Sequence, residues 1–85
     1  MPEISRFYGI VITINFDDHL PPHFHARYGE FRSSIKFDGE VLAGRLPLRA
    51  LALVRLWAAQ RQDELVIDWE LARALQPLEP IPPLQ

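Results

Sequence analysis

The stretch His23-Phe24-His25-Ala26-Arg27-Tyr28-Gly29-Glu30-Phe31-Arg32-Ser33-Ser34-Ile35-Lys36-Phe37 decides the fold. Alternating residues on either side of Gly29-Glu30 predict strands over His23–Tyr28 and Phe31–Phe37 joined by a tight turn. A two-residue hairpin loop at Gly29-Glu30 sets Tyr28 opposite Phe31, and the remaining register follows. Phe24 then pairs with Ile35 and Ala26 with Ser33 on one face. On the other face Arg27 pairs with Arg32, His25 with Ser34 and His23 with Lys36. Apolar and polar residues sort to opposite sides, as a sheet with one buried face requires.

Upstream, Ile10, Ile12, Ile14 and Phe16 share one parity, which predicts a half-buried strand over Phe7–Phe16 with a bulge or close backbone approach at Gly9. Asp17-Asp18-His19-Leu20-Pro21-Pro22 interrupts that ladder, because proline lacks an N–H and biases its predecessor toward extended geometry. Downstream, Asp38-Gly39 is a type I′ turn signal leading into a short strand, Glu40 to about Gly44, with Leu42 expected on the Phe24/Ile35 face. From Pro47 the period changes. A helix is predicted from Leu48 to about Gln62, apolar over more than half its circumference: Leu51, Val54 and Ala58 form a stripe with Leu53, Leu56 and Trp57 beside it. A second helix follows from about Asp63 to Leu75, with Leu65, Trp69 and Ala72 facing inward. The expected architecture is α+β: a four-stranded, mainly antiparallel sheet in the order ββββαα, with two helices on its apolar face. Residues 1–76 form one domain, and residues 77–85 a proline-rich extended arm.

The whole-chain numbers exclude more than they assign. Eighty-five residues without repeats fit one small domain with a modest core, which makes a protein partner or a homo-oligomer plausible. A net charge of −2 supplies no global attraction to nucleic acid or anionic lipid, so any basic site is local. There is no cysteine, hence no disulfide and no thiolate metal site. No apolar run is long enough to span a bilayer and Met1–Arg6 has no signal-peptide pattern, so a cytoplasmic location without membrane contact is expected.

Chemistry concentrates in Asp17–Ala26, which holds all three histidines. His23 and His25 lie two apart on a strand, so both imidazoles project from one face. Such a pair suits a divalent metal such as zinc, with His19 folding back from the loop as a third ligand and Asp17 or Asp18 completing the shell or orienting a ring. The same residues also admit purely structural roles: His19 capping the turn, His23 bracketing the prolines, His25 bonding Ser34. A third possibility is acid–base work, with His19, His23 and His25 as candidate catalytic groups. Arg27, Arg32, Ser34 and Lys36 share the predicted outer face with His23 and His25. Like charges directly opposite each other are unfavourable, so the Arg27/Arg32 pair calls for a negative partner: Glu30, a carboxylate of a second copy, or a ligand phosphate such as an RNA backbone; the competing reading is a solvated charged face with no role. No phosphate-binding loop or nucleophile elbow is present.

The opening Met1-Pro2-Glu3-Ile4-Ser5-Arg6-Phe7-Tyr8-Gly9-Ile10, the block from Asp18 to Glu30, and the later Trp57-Ala58, Glu64-Leu65 and Trp69-Glu70-Leu71-Ala72 resemble the small bacterial proteins of domain-of-unknown-function family 4160. The block Asp18-His19-Leu20-Pro21-Pro22-His23-Phe24-His25-Ala26 is the most specific part. The resemblance implies a component of a toxin–antitoxin-like pair, encoded beside a small protein of the domain-of-unknown-function 2442 type and acting through protein–protein contact. Many members of that family carry a histidine near the end of the first helix, where this chain has Arg61. Against this stands an enzymatic reading: a metal- or histidine-dependent hydrolase, a ribonuclease among the options. The remaining reading is a domain that binds metal only to fix its turn.

Overall fold

A computed structural model of the chain describes residues 2–85. Five strands, β1 (Glu3–Phe7), β2 (Ile10–Thr13), β3 (His23–Tyr28), β4 (Phe31–Lys36) and β5 (Val41–Arg45), form one antiparallel sheet in chain order. Helices α1 (Leu48–Gln60) and α2 (Gln62–Arg73) follow.

The central hairpin has the register that its alternation dictates, from Tyr28 opposite Phe31 to His23 opposite Lys36. Phe24, Ala26 and Ile35 are buried in the core. Trp57 meets Phe24 edge-on at 5.7 Å, which shows α1 lying over that face.

The sheet has five strands rather than the expected four, because Glu3–Phe7, ahead of the expected first strand, forms a strand of its own, and of Phe7–Phe16 only Ile10–Thr13 continues as its partner. Tyr8 and Gly9 both take positive φ, 49° and 80°, making a two-residue turn between Phe7 and its partner Ile10. Gly9 is thus the turn itself, not a bulge within a strand. Ile10, Ile12 and Ile14 are fully buried as their parity requires, whereas Phe16 lies past the strand end and is exposed.

Two details change at the second hairpin. The β4–β5 loop closes from Lys36 to Glu40, with Gly39 N–H donating to the Lys36 carbonyl and Gly39 alone in the loop at positive φ. That is a three-residue loop ending in a left-handed residue, not a type I′ turn. The register also slips between Ser34 and Ile35, so Val41 pairs with Ile35 and packs on the core. Leu42, expected there, is exposed.

In α1 the buried set is Ala50, Val54, Trp57 and Ala58. Leu51 and Leu53 are half-buried and Leu56 is exposed, so the helix is less enclosed than its composition suggests. Helix α2 buries Leu65, Trp69 and Ala72 as expected, and also Asp68. The chain after α2 has no regular structure but packs tightly. Trp57 Nε1 donates to the Pro82 carbonyl at 3.0 Å, Ile81 N–H to the Ile4 carbonyl at 2.7 Å, and Ile81 and Leu84 join the core.

Candidate metal centre and adjoining cationic groove

The Asn15–Pro22 loop is held at one end of α2, where Asp17 N–H donates to the Ala72 carbonyl at 3.1 Å. Within it the His19 N–H donates to Asp18 Oδ1 at 2.8 Å, which fixes the carboxylate. The other oxygen, Asp18 Oδ2, stands 3.0 Å from His23 Nε2 and 3.1 Å from His25 Nε2. One donor atom from each of Asp18, His23 and His25 lies within 4.8 Å of the others, a spacing that one metal ion can bridge.

The outer nitrogens are tied down. His23 Nδ1 sits 2.8 Å from the Pro21 carbonyl, which can only accept, so this nitrogen carries a hydrogen. His25 Nδ1 lies 3.3 Å from Ser34 Oγ across the strands. Asn15 adds a partner that the sequence did not single out: its Nδ2 lies 3.2 Å from His25 Nε2 and 3.4 Å from Asp18 Oδ2.

His23 departs from expectation. Alternation predicts it on an open polar face, but only 1 % of its surface is exposed. It stands at the very start of β3, beneath the proline loop and beside Trp69 of α2, whose ring centroid is 5.5 Å away. Alternation correctly gives the side of the strand, but not what the flanking loop and helix lay over it. His19 behaves in the opposite way. Its side chain is 79 % exposed, its Nε2 lies 3.7 Å from Asp18 Oδ1, and its ring is 5.0 Å from that of His23. It stands at the mouth of the cluster and is not one of the three converging donors. Asp17, the other carboxylate considered, is exposed and also lies outside that set.

Burial pushes the Asp18 carboxyl up, but more weakly than its surroundings push it down. The hydrogen bond from His25, the His19 N–H and the nearby His23 and His19 together hold it below the ordinary carboxylate range. The site is thus organised around an ionised carboxylate and two imidazoles.

A family model described as a domain of unknown function, DUF4160, matches residues 9–70. The chain belongs to this family. The match contains the whole cluster and both helices except the end of α2. No curated protein and no solved structure matches the chain.

On the outer face of this DUF4160 sheet, His25, Arg27, Arg32 and Ser34 line a groove of about 450 Å³ together with Thr13 and Ala43. Lys36, expected beside them, is instead drawn to the hairpin loop, 3.2 Å from Glu40 and 3.6 Å from Asp38. Those carboxylates hold its ammonium above the usual lysine range. Arg61, at the α1–α2 junction, lies 3.7 Å from Glu64 and makes no ion pair with the cluster. Among the described residues no helix is long and apolar enough to cross a membrane.

Proposed function

We propose that this DUF4160 chain is a metal-binding domain, with Asp18, His23 and His25 holding one divalent transition ion such as zinc. The observation that carries this reading is the convergence of one donor atom each from Asp18, His23 and His25, with His23 Nδ1 occupied by the Pro21 carbonyl. With its hydrogen on Nδ1, a neutral His23 turns an Nε2 lone pair toward Asp18 Oδ2 at 3.0 Å. Two acceptors that close repel unless a positive charge is shared between them. A metal ion supplies that charge, and imidazole with carboxylate is a donor set that zinc accepts. The alternative is a second hydrogen on His23, giving a buried imidazolium–carboxylate pair. Elemental analysis of the purified chain, followed by a zinc titration, separates the two. The expected result is one ion per chain, lost in Asp18→Ala and His23→Ala. Absence of uptake, with a melting temperature indifferent to zinc and chelator, would identify the metal-free pair.

Three protein donors leave one tetrahedral position free, the pattern of catalytic rather than structural zinc, whose chemistry is activation of a bound water. This favours a hydrolase, a ribonuclease among the candidates, over a domain that binds metal only to fix its turn. Growth arrest on expression that disappears in His25→Ala with the fold intact supports it. Arrest that persists unchanged counts against it.

A second reading is a component of a toxin–antitoxin-like pair in the bacterial cytoplasm. Supporting it are Leu48, Leu56, Val66 and Ile67, large apolar side chains left exposed on the two helices. A small partner of the 2442 type or a second copy of the chain would cover them. Co-purification with the neighbouring gene product tests this, and a monomer that ignores that product defeats it.

A further inference from the structure

We infer that the groove on the outer sheet face is a phosphate-binding site, with Arg27 and Arg32 grasping a phosphate that borders the metal centre at His25. The inference rests on the metal-centre reading for that last contact.

Arg27 and Arg32 are direct cross-strand partners on adjacent central strands, and both are exposed. Neither forms an ion pair among the described residues. Like charges directly opposite each other destabilise a sheet, so the pair stores repulsion that an anion between the two guanidiniums would relieve. Glu3, the acid that lines the groove, feels the charge of Arg27 but forms no ion pair with it. Its carboxylate is already bridged by Arg6 through Nη2 at 2.8 Å and Nε at 3.1 Å. The groove therefore has a local positive charge although the whole chain carries −2.

Two planar forks, one from each of two paired strands and both lining one groove, suit the several oxygens of a phosphate group better than a single carboxylate. Ser34 adds a hydroxyl on the same row as His25. Along β3, Arg27 follows His25 by two residues on the same face, a separation of about 7 Å. An extended arginine covers that length, so one phosphate can meet the guanidiniums on one side and the His25 end of the groove on the other. The volume, about 450 Å³, admits a phosphate with an attached small group such as a nucleoside. The groove has no outward aromatic ring for base stacking, so recognition centres on the phosphate.

The test is a calorimetric titration of the full chain with inorganic phosphate, uridine 5′-monophosphate and uridine, each with and without one equivalent of zinc. Phosphate and the monophosphate should bind, uridine should not, and zinc should tighten binding. Arg27→Gln and Arg32→Gln should each weaken binding by roughly 10- to 100-fold, the range for a lost hydrogen bond to a charged group, with metal content unchanged. Arg27→Lys, which keeps the charge but not the fork, should fall between. Monophosphate binding without inorganic phosphate binding would make the attached group the determinant and overturn the inference. Binding indifferent to both arginine variants would also overturn it. Arginine-dependent binding in a chain that takes up no zinc would uphold the groove and remove only the metal centre.

Discussion

Two aspartates, Asp18 and Asp68, show how differently the same side chain is used at two places in this small molecule. Asp18 is partly accessible and faces three histidines, and its carboxyl is held below the ordinary range despite the contrary push of burial. Asp68, on α2, is completely buried. Its Oδ1 accepts the Glu79 N–H at 2.8 Å, while its Oδ2 has no partner. Burial raises its carboxyl above the usual value; the Glu79 N–H lowers it, and the charges of Glu79 and Glu64 raise it. What decides the direction is the number of donors that replace water. Asp18 has donors on both oxygens and is fit to stay charged. Asp68 has one donor and is a fastening for the C-terminal segment.

The comparison breaks most visibly under metal loss. His23→Ala should lower zinc affinity by on the order of 100-fold or more, since even partners one step removed from a metal cost up to that much. The same change at the other aspartate, Asp68→Ala, should leave zinc affinity unaltered. Next in size is the fastened segment. Ile81→Ala should cost about 2–5 kcal/mol in chemical denaturation, the range for truncating a buried branched side chain. Equal stability would show that the segment is not part of the cooperative core.

The pH dependence then sharpens the contrast, because the two carboxyls contribute with opposite sign. The favourable contribution of Asp18, whose folded value is lowered, is present above the ordinary carboxylate value of about 3.9 and lost as pH falls through its folded value. Asp68, whose folded value is raised, contributes fully below about 3.9 and loses that contribution as pH rises through its folded value. In metal-free protein, Asp68→Asn should therefore be more stable than the parent near neutrality, with the advantage shrinking on acidification. Asp18→Asn should be less stable near neutrality and converge with the parent in acid. Melting temperatures from about pH 2 to 7 test both trends. The smallest effect is expected at the groove: Arg27→Gln should raise ligand-free stability by about 0.2–1 kcal/mol through relief of the like-charge pair.

The part of the fold legible in the sequence is the part governed by short-range alternation. A two-residue turn between complementary strands leaves one register in which Phe24 and Ile35 meet, and that register is found. The turn at Tyr8 is illegible because a tyrosine at positive φ has no compositional mark, and without that turn nothing marks Glu3–Phe7 as a strand paired with β2. The Ser34/Ile35 slip was hidden for a related reason, since Val41 and Leu42 are equally apolar. At the candidate site, residue spacing brings out His23 and His25 together, and the loop before them offers Asp17 and Asp18 without a pattern that separates the two. Burial of His23 under Trp69, and the approach of Asn15, depend on how α2 seats against the loop, which no local pattern encodes. Asp68 carries no local sequence mark of its role, because the backbone N–H it holds lies 11 residues away at Glu79.

The bond from Ile81 N–H to the Ile4 carbonyl has a consequence for how copies of this chain meet. Strand β1 is an outer strand of the sheet, and an unpaired outer strand invites another chain to add to it. Here the C-terminal segment occupies that carbonyl, and Pro80, Pro82 and Pro83 around Ile81 have no N–H with which to extend a ladder. At the opposite border, Gly44 bends β5 at φ 72°, where any Cβ would collide with the Arg32 carbonyl. One border is thus partly covered by a proline-flanked segment and the other interrupted by a glycine at positive φ, so neither offers a second chain an unbroken row of free backbone groups.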